Sequence, residues 1–161
     1  MKMENLLKKI SENKPLCTCL KIYSHLCVLA SVALFLLLEY SAFTVSPVKA
    51  LSLALSLAIP FVLVSVIRVI INAPRPYEVF GVSGDLPKNK KGRAFPSRHA
   101  FSVFAIAVSA FPIYPALAAV MFFLGTLLCV ARVLLGIHFV RDVLAGALVG
   151  AASAVLGIII L

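Results

Sequence analysis

Acidic residues are scarce in this sequence. Six Asp and Glu stand against fifteen Lys and Arg, a formal net charge of +9 over 161 residues. Charges of both signs amount to only 13% of the chain, about half the share of an ordinary soluble domain. Tryptophan is absent. The four cysteines, Cys17, Cys19, Cys27 and Cys129, follow no zinc-binding or redox spacing and read as small apolar filler. No internal repeat is present, which argues against an inverted-repeat transporter. The excess of positive charge does not mark a nucleic-acid binder, because the basic residues sit in loops beside apolar runs without interleaved aromatics. Attraction to anionic lipid head groups or to a phosphorylated substrate fits that placement better.

What the chain has in quantity is apolar sequence. Hydrophobic residues make up 62% of it and mean hydropathy is +1.09. The apolar runs are long enough for a bilayer, which takes about 20 helical residues per crossing. The expected fold is therefore all-α, a polytopic membrane helix bundle of about five spanning segments preceded by an N-terminal interfacial helix. The organisation expected is one membrane domain over residues 1–161, with an amphipathic segment at 1–15 and a catalytic core at 50–161.

Residues 1–14 place Met3, Leu6, Leu7 and Ile10 at helical spacing with charges between them, and Pro15 is expected to end that helix. The spans expected are 22–38, 51–71, 99–110, 116–135 and 143–161. The first is disfavoured as a signal peptide by its long basic lead-in and the lack of a small-residue cleavage site. Pro60 falls inside the second, where neighbouring helices can satisfy the freed carbonyl. The third is short, about 18 Å as a helix. Gly146, Gly150 and Gly157 would let the last helix approach its neighbours closely. Residues 72–97, which hold Asp85 and the basic run 88–93, form the one long polar loop, and a loop of that length is more often functional than idle.

Three clusters lie at the edges of these runs: Arg68–Arg75–Pro76, Pro96–Ser97–Arg98–His99, and Arg132–His138–Asp142. Charges at membrane depth are costly and usually functional. A helical hairpin separates the 72–97 loop from the 136–142 turn, so all three clusters should lie on one side of the membrane. Arginine carries a rigid fork of donors suited to phosphate oxygens. Arg68, Arg75 and Arg132 have few acids nearby, and without an anion between them they would repel one another. Ser97 reads as the N-cap of the following helix, whose first N–H groups make a ready anion site. His99 lies just inside it, placed to protonate a leaving oxygen. His138 and Asp142, four apart, can share a helix face, the carboxylate fixing the imidazole tautomer. The plainer reading of Asp142, a helix-start carboxylate facing its own helix dipole, is equally compatible with sequence.

In order and internal spacing these clusters resemble the type 2 phosphatidic acid phosphatase family, the lipid phosphate phosphatases, whose site is shared with vanadium haloperoxidases. The family pattern Lys-x6-Arg-Pro, Pro-Ser-Gly-His, Ser-Arg-x5-His-x3-Asp is matched here by Arg68-x6-Arg75-Pro76, Pro96-Ser97-Arg98-His99 and Ala131-Arg132-x5-His138-x3-Asp142. Arg68 stands for Lys, Ala131 for Ser and Arg98 for Gly.

The resemblance implies a membrane phosphatase acting on a lipid phosphate or diphosphate: a polyprenyl diphosphate, phosphatidylglycerophosphate or phosphatidic acid. It makes His138 the nucleophile that becomes a phosphohistidine, Asp142 its orienting partner and His99 the acid. Arg68, Arg75, Ser97 and Arg132 would hold the phosphoryl oxygens, with Arg98 as an added substrate contact. No metal and no other cofactor is implied. The partners expected are the lipid substrate and membrane lipids, not nucleic acid, and a homo-oligomer is compatible with this reading. A non-catalytic phospholipid-binding protein that keeps the anion site is the alternative. The resemblance suggests a bacterial plasma membrane with the site on the extracytoplasmic side, while the excess of Lys and Arg on that same face points to the cytoplasm.

Overall fold

The computed structural model describes residues 3–82 and 91–160; residues 83–90, including Asp85 and Lys88, lie outside that description. Among the described residues every regular element is helical. They are α1 (Met3–Glu12), α2 (Lys14–Val45), α3 (Pro47–Ile71), the single turn α4 (Pro76–Val79), α5 (Arg98–Ala110), α6 (Pro115–Leu134) and α7 (Val140–Ile160).

Four of these, α2, α3, α6 and α7, are long and apolar enough to cross a membrane. That is one fewer than the sequence suggests. The difference is α5, whose 13 residues reach only about 20 Å against a hydrocarbon core of about 30 Å. It is buried on nearly every side, from Ala100 and Phe101 to Ser109 and Ala110, as befits a helix in the middle of a bundle. α7 packs against it most extensively, and α6, α2 and α3 complete the surround.

The outer helices are inside-out by soluble standards. On α2 the buried positions Cys17, Ser24, Cys27, Ser31, Leu34 and Leu38 form one narrow stripe, while Leu26, Leu29 and Leu36 are exposed. Ile70 on α3, Phe123 on α6 and Leu148 on α7 are likewise exposed. Such a surface is stable in lipid, where apolar side chains need no shielding, and marks an integral membrane protein.

Two glycines set the depth at which α7 seats on α5. A Cβ at Gly146 would run into the carbonyl oxygen of Ser97, and one at Gly150 into that of Phe101. This close backbone approach is what small residues allow in membrane bundles.

The N-terminal region departs from expectation in two ways. Pro15 does not end α1; that helix stops at Glu12, and Pro15 sits in the first turn of α2, where a missing N–H costs nothing. Asn13 caps α2, its side chain accepting from Leu16 N at 3.1 Å. The first span is thereby 32 residues long rather than 17. α1 is amphipathic as expected, but its apolar face, Leu7 and Ile10, packs into a cluster with Tyr77, Val82, Leu135 and Ile137. The N-terminus therefore lies at the same end of the bundle as the three sequence clusters.

Candidate active site

The three clusters are stitched together by main-chain hydrogen bonds. Ala94 N donates to Ala73 O at 2.9 Å, joining the first to the second. Ser97 N donates to Asp142 O at 2.9 Å, joining the second to the third. Tyr77 N donates to Gly136 O at 3.2 Å, joining the third back to the first. Sequence separations of up to 59 residues thus collapse into one ring of loops around the start of α5.

Ser97 is the N-cap of α5, as its position suggested. It is fully buried, and its hydroxyl accepts from Ala100 N at a long 3.5 Å. A cap held that loosely leaves the first N–H groups of α5 available to an anion.

His138 and Asp142 lie side by side. α7 begins at Val140, so His138 precedes the helix instead of belonging to it, but the turn still brings its Nδ1 to 3.7 Å from Asp142 Oδ2. That is electrostatic contact, not yet a hydrogen bond. Oδ2 meanwhile accepts from Phe139 N at 2.8 Å, which is one half of a capping box. Of the two readings open at the sequence level, the helix-start role of Asp142 is realised; the carboxylate also faces the imidazole, but without the hydrogen bond that would fix its tautomer.

Nδ1 of His138 and Oδ1 of Asp142 are buried and have no hydrogen-bond partner. Arg141 Nε approaches Oδ1 at 3.6 Å. Burial pushes the His138 imidazole below its ordinary pKa of 6.5; Asp142 opposes that shift, and Arg75 and Arg68 add to it. The ring is therefore held neutral, with a nitrogen lone pair available.

The arginines divide their tasks. Arg68 is buried and donates through one terminal nitrogen to Pro96 O, and at 3.5 Å to Ala94 O. It holds the loop ahead of α5, through a segment that contains the cis Phe95–Pro96 peptide. Arg75 is buried and donates from Nε to Gly92 O at 3.0 Å. Arg132 lies in the last turn of α6, and its Nε is buried without a partner. This buried donor is available to an anion or an ordered water.

Two cavities at this end of the bundle share Arg98 in their walls. One, of about 530 Å³, is lined by Arg68, Arg75, Lys91, Arg93 and Arg98 together with Ser65 and Asn72. The other, of about 390 Å³, is an apolar groove between α2, α3 and α5, with Val28, Val32, Phe35, Phe61 and Ile106 in its walls and Arg98 and His99 at its head. Arg98 lines both, and its guanidinium lies 5.8 Å from the centre of the Phe61 ring.

The sequence reading missed Lys91 and Arg93 as cavity residues, although the basic run between the first two motifs was the signal for them. It also missed Glu78, which accepts from Gly92 N at 2.8 Å and fixes that edge of the cavity. Among the described residues no three His, Cys, Asp or Glu side chains are grouped so as to hold a metal ion.

The profile of the PAP2 superfamily matches residues 49–161. The chain belongs to the PAP2 superfamily. The matched stretch runs from the first turn of α3 to the C-terminus and takes in all three clusters.

Two solved structures share the fold. LpxE from Aquifex aeolicus superposes with a TM-score of 0.70 at 24% identity, over 96% of this chain and 93% of that one. A transmembrane PAP2-type phosphatidylglycerolphosphate phosphatase from Bacillus subtilis gives 0.73 at 20% identity, over 98% of this chain and 83% of that one. Both alignments extend well beyond the stretch that the superfamily profile matches. Comparison with curated protein sequences finds no match.

Proposed function

We propose that this PAP2 protein is a metal-independent membrane phosphatase, a single domain that removes phosphate from a lipid phosphate or diphosphate through a phosphohistidine on His138. The observation that supports the reading is that Arg98 lines both a cationic chamber suited to a phosphoryl group and an apolar groove suited to the chain that bears it.

The neutral imidazole of His138, steadied through Nδ1 by Asp142, attacks phosphorus with its other nitrogen. The N–P bond forms as the P–O bond to the lipid breaks. His99, which burial and the charges of Arg132, Arg98 and Arg68 hold below its ordinary pKa, takes up a proton beside the phosphoryl anion and gives it to the departing oxygen. Water then attacks phosphorus, His99 takes a proton from it, and the N–P bond breaks to release inorganic phosphate. The net reaction consumes one water and yields the dephosphorylated lipid. Arg68, Arg75, Arg132, Ser97 and the start of α5 hold the equatorial oxygens, where charge is spread in phosphoryl transfer.

A glycerophospholipid phosphate is one candidate, and the name of the Bacillus subtilis structure points to phosphatidylglycerophosphate. Phosphatidic acid and a polyprenyl diphosphate fit the same chemistry. The proposed location is a bacterial plasma membrane, with the site on its extracytoplasmic face.

The test is phosphate release from a panel of lipid phosphates in detergent micelles by the purified protein and by His138→Ala. Release by the native chain and none by the variant is expected. Binding of the same lipids without release would favour a non-catalytic lipid-binding protein.

A further inference from the structure

The chamber holds more positive charge than one phosphate needs. Arg68, Arg75 and Arg132 already supply the arginines of the single-phosphate mechanism proposed above. Arg68 and Arg75 line the chamber, and Lys91, Arg93 and Arg98 line it as well, with no carboxylate among the described lining residues. Glu78, at its edge, has an oxygen bonded to Gly92 N.

The backbone that carries two of these cations is held in an unusual form. Gly92 and Arg93 both have positive φ, +62° and +54°, and an Arg in that region is uncommon. Four contacts hold it there: Glu78 on Gly92 N, Arg75 on Gly92 O, the main-chain bond from Ala94 to Ala73, and the Asn72 side chain, which fills the space a Cβ at Gly92 would take. Strain of this sort persists only where surrounding structure fixes it, and it gathers at ligand sites. Arg98 lines both the chamber and the apolar groove, and its guanidinium lies 5.8 Å from the centre of the Phe61 ring.

We propose that Lys91, Arg93 and Arg98 bind a second phosphoryl group of the substrate, the one that stays on the lipid, so that the chain prefers a lipid diphosphate to the monophosphate of the same alcohol. This rests on the phosphatase reading above. The terminal phosphorus is attacked by His138 and its bond to the bridging oxygen breaks. The lipid monophosphate departs with the bridging oxygen, protonated by His99. Water then releases the terminal group as inorganic phosphate. The phosphoryl group next to the alcohol lies at Arg98, and the hydrocarbon chain enters the groove between α2, α3 and α5.

The experiment compares kcat/KM for one isoprenoid alcohol as monophosphate and as diphosphate, in neutral detergent micelles, for the native chain and for Lys91→Ala/Arg93→Ala. The native chain should favour the diphosphate by about tenfold or more, and the double variant should lose most of that ratio, since a hydrogen bond to a charged group is worth about that factor. Inorganic pyrophosphate should also inhibit the native chain more strongly than inorganic phosphate, and the variant should lose that difference.

A native chain with no preference overturns the proposal. So do parallel losses on both substrates, which would assign these cations to anionic surface lipid, a role that adding phosphatidylglycerol to the micelles would expose. Should the double variant fail to fold, the pyrophosphate comparison on the native chain still decides. Failure to hydrolyse either substrate would instead sink the phosphatase reading itself.

Discussion

The backbone N–H of Ser97 donates to the carbonyl oxygen of Asp142 at 2.9 Å. This bond ties the start of α5, where an anion would be received, to the first turn of α7, where the candidate nucleophile is steadied. Gly146, one turn further along α7, allows it by letting the two backbones approach within contact of the Ser97 carbonyl. A phosphoryl group seated on α5 is thereby held in fixed relation to His138, the positioning that a two-step transfer needs.

The same close packing makes a stability prediction. Gly150→Val should push α7 off α5, because its side chain would meet the Phe101 carbonyl, which is backbone and cannot rotate away. Overpacking of this kind costs about 1–3 kcal/mol. Thermal unfolding in detergent should show a lowered Tm for the variant. An unchanged Tm would mean that the two helices are not held at this distance.

Asp142→Asn separates the two tasks of that residue. The amide oxygen can still accept from Phe139 N, so the helix start survives, but the charge facing His138 is lost. Folding should change little while kcat falls about 100-fold or more, in the range seen for displaced acid–base groups. Circular dichroism with phosphate-release kinetics checks this. Native kcat in the variant would remove Asp142 from the mechanism and leave it a capping residue.

His99 is expected to protonate the leaving oxygen. His99→Ala should therefore slow hydrolysis of an alkyl phosphate by about 100-fold or more, and slow an activated aryl phosphate far less, because a good leaving group needs little protonation. Equal losses on the two substrates would deny His99 the acid's part.

The pH dependence follows from the burial of His138. Only the neutral ring attacks, and burial, with Arg75 and Arg68, lowers its pKa below 6.5 against the pull of Asp142. The rate should fall as pH drops through that depressed value and should be insensitive to His138 above 6.5. The profile of kcat/KM, corrected for ionisation of the substrate, should show its acid limb below 6.5. A limb at 7 or above would show that Asp142 outweighs burial.

The candidate site was largely legible in sequence because its chemistry is local in spacing. His138 and Asp142 lie four apart, Arg68 and Arg75 seven apart, and Ser97 directly follows a proline ahead of an apolar run. Such intervals are set by helix and turn geometry and survive folding. The number of spans was less legible. Residues 99–110 are apolar but too short to cross alone, and the surround of α7, α6, α2 and α3 shows what covers a helix that does not cross. The packing of Leu7 and Ile10 on Tyr77 and Leu135 was not legible at all. Amphipathic spacing gives a helix an apolar face but does not say whether lipid or protein covers it. Lys91 and Arg93 were hidden for a related reason, since a basic run in a loop reads as solvated until the backbone is seen to hold it over a cavity.

The proposed mechanism needs no metal, because cationic side chains meet the charge of the phosphate. Phosphate release should persist in excess EDTA, and vanadate should inhibit by occupying the phosphoryl position in trigonal-bipyramidal form. Loss of activity in EDTA that magnesium restores would contradict the mechanism.

The most direct test of the central claim is to trap the intermediate. The purified protein is mixed with a lipid phosphate carrying a radiolabelled phosphoryl group, then quenched in alkaline denaturant, which preserves phosphohistidine. Label should appear on the protein, map to the peptide containing His138, and be absent from His138→Ala. Phosphate release at full rate by His138→Ala, or label trapped on any other residue, would contradict the account.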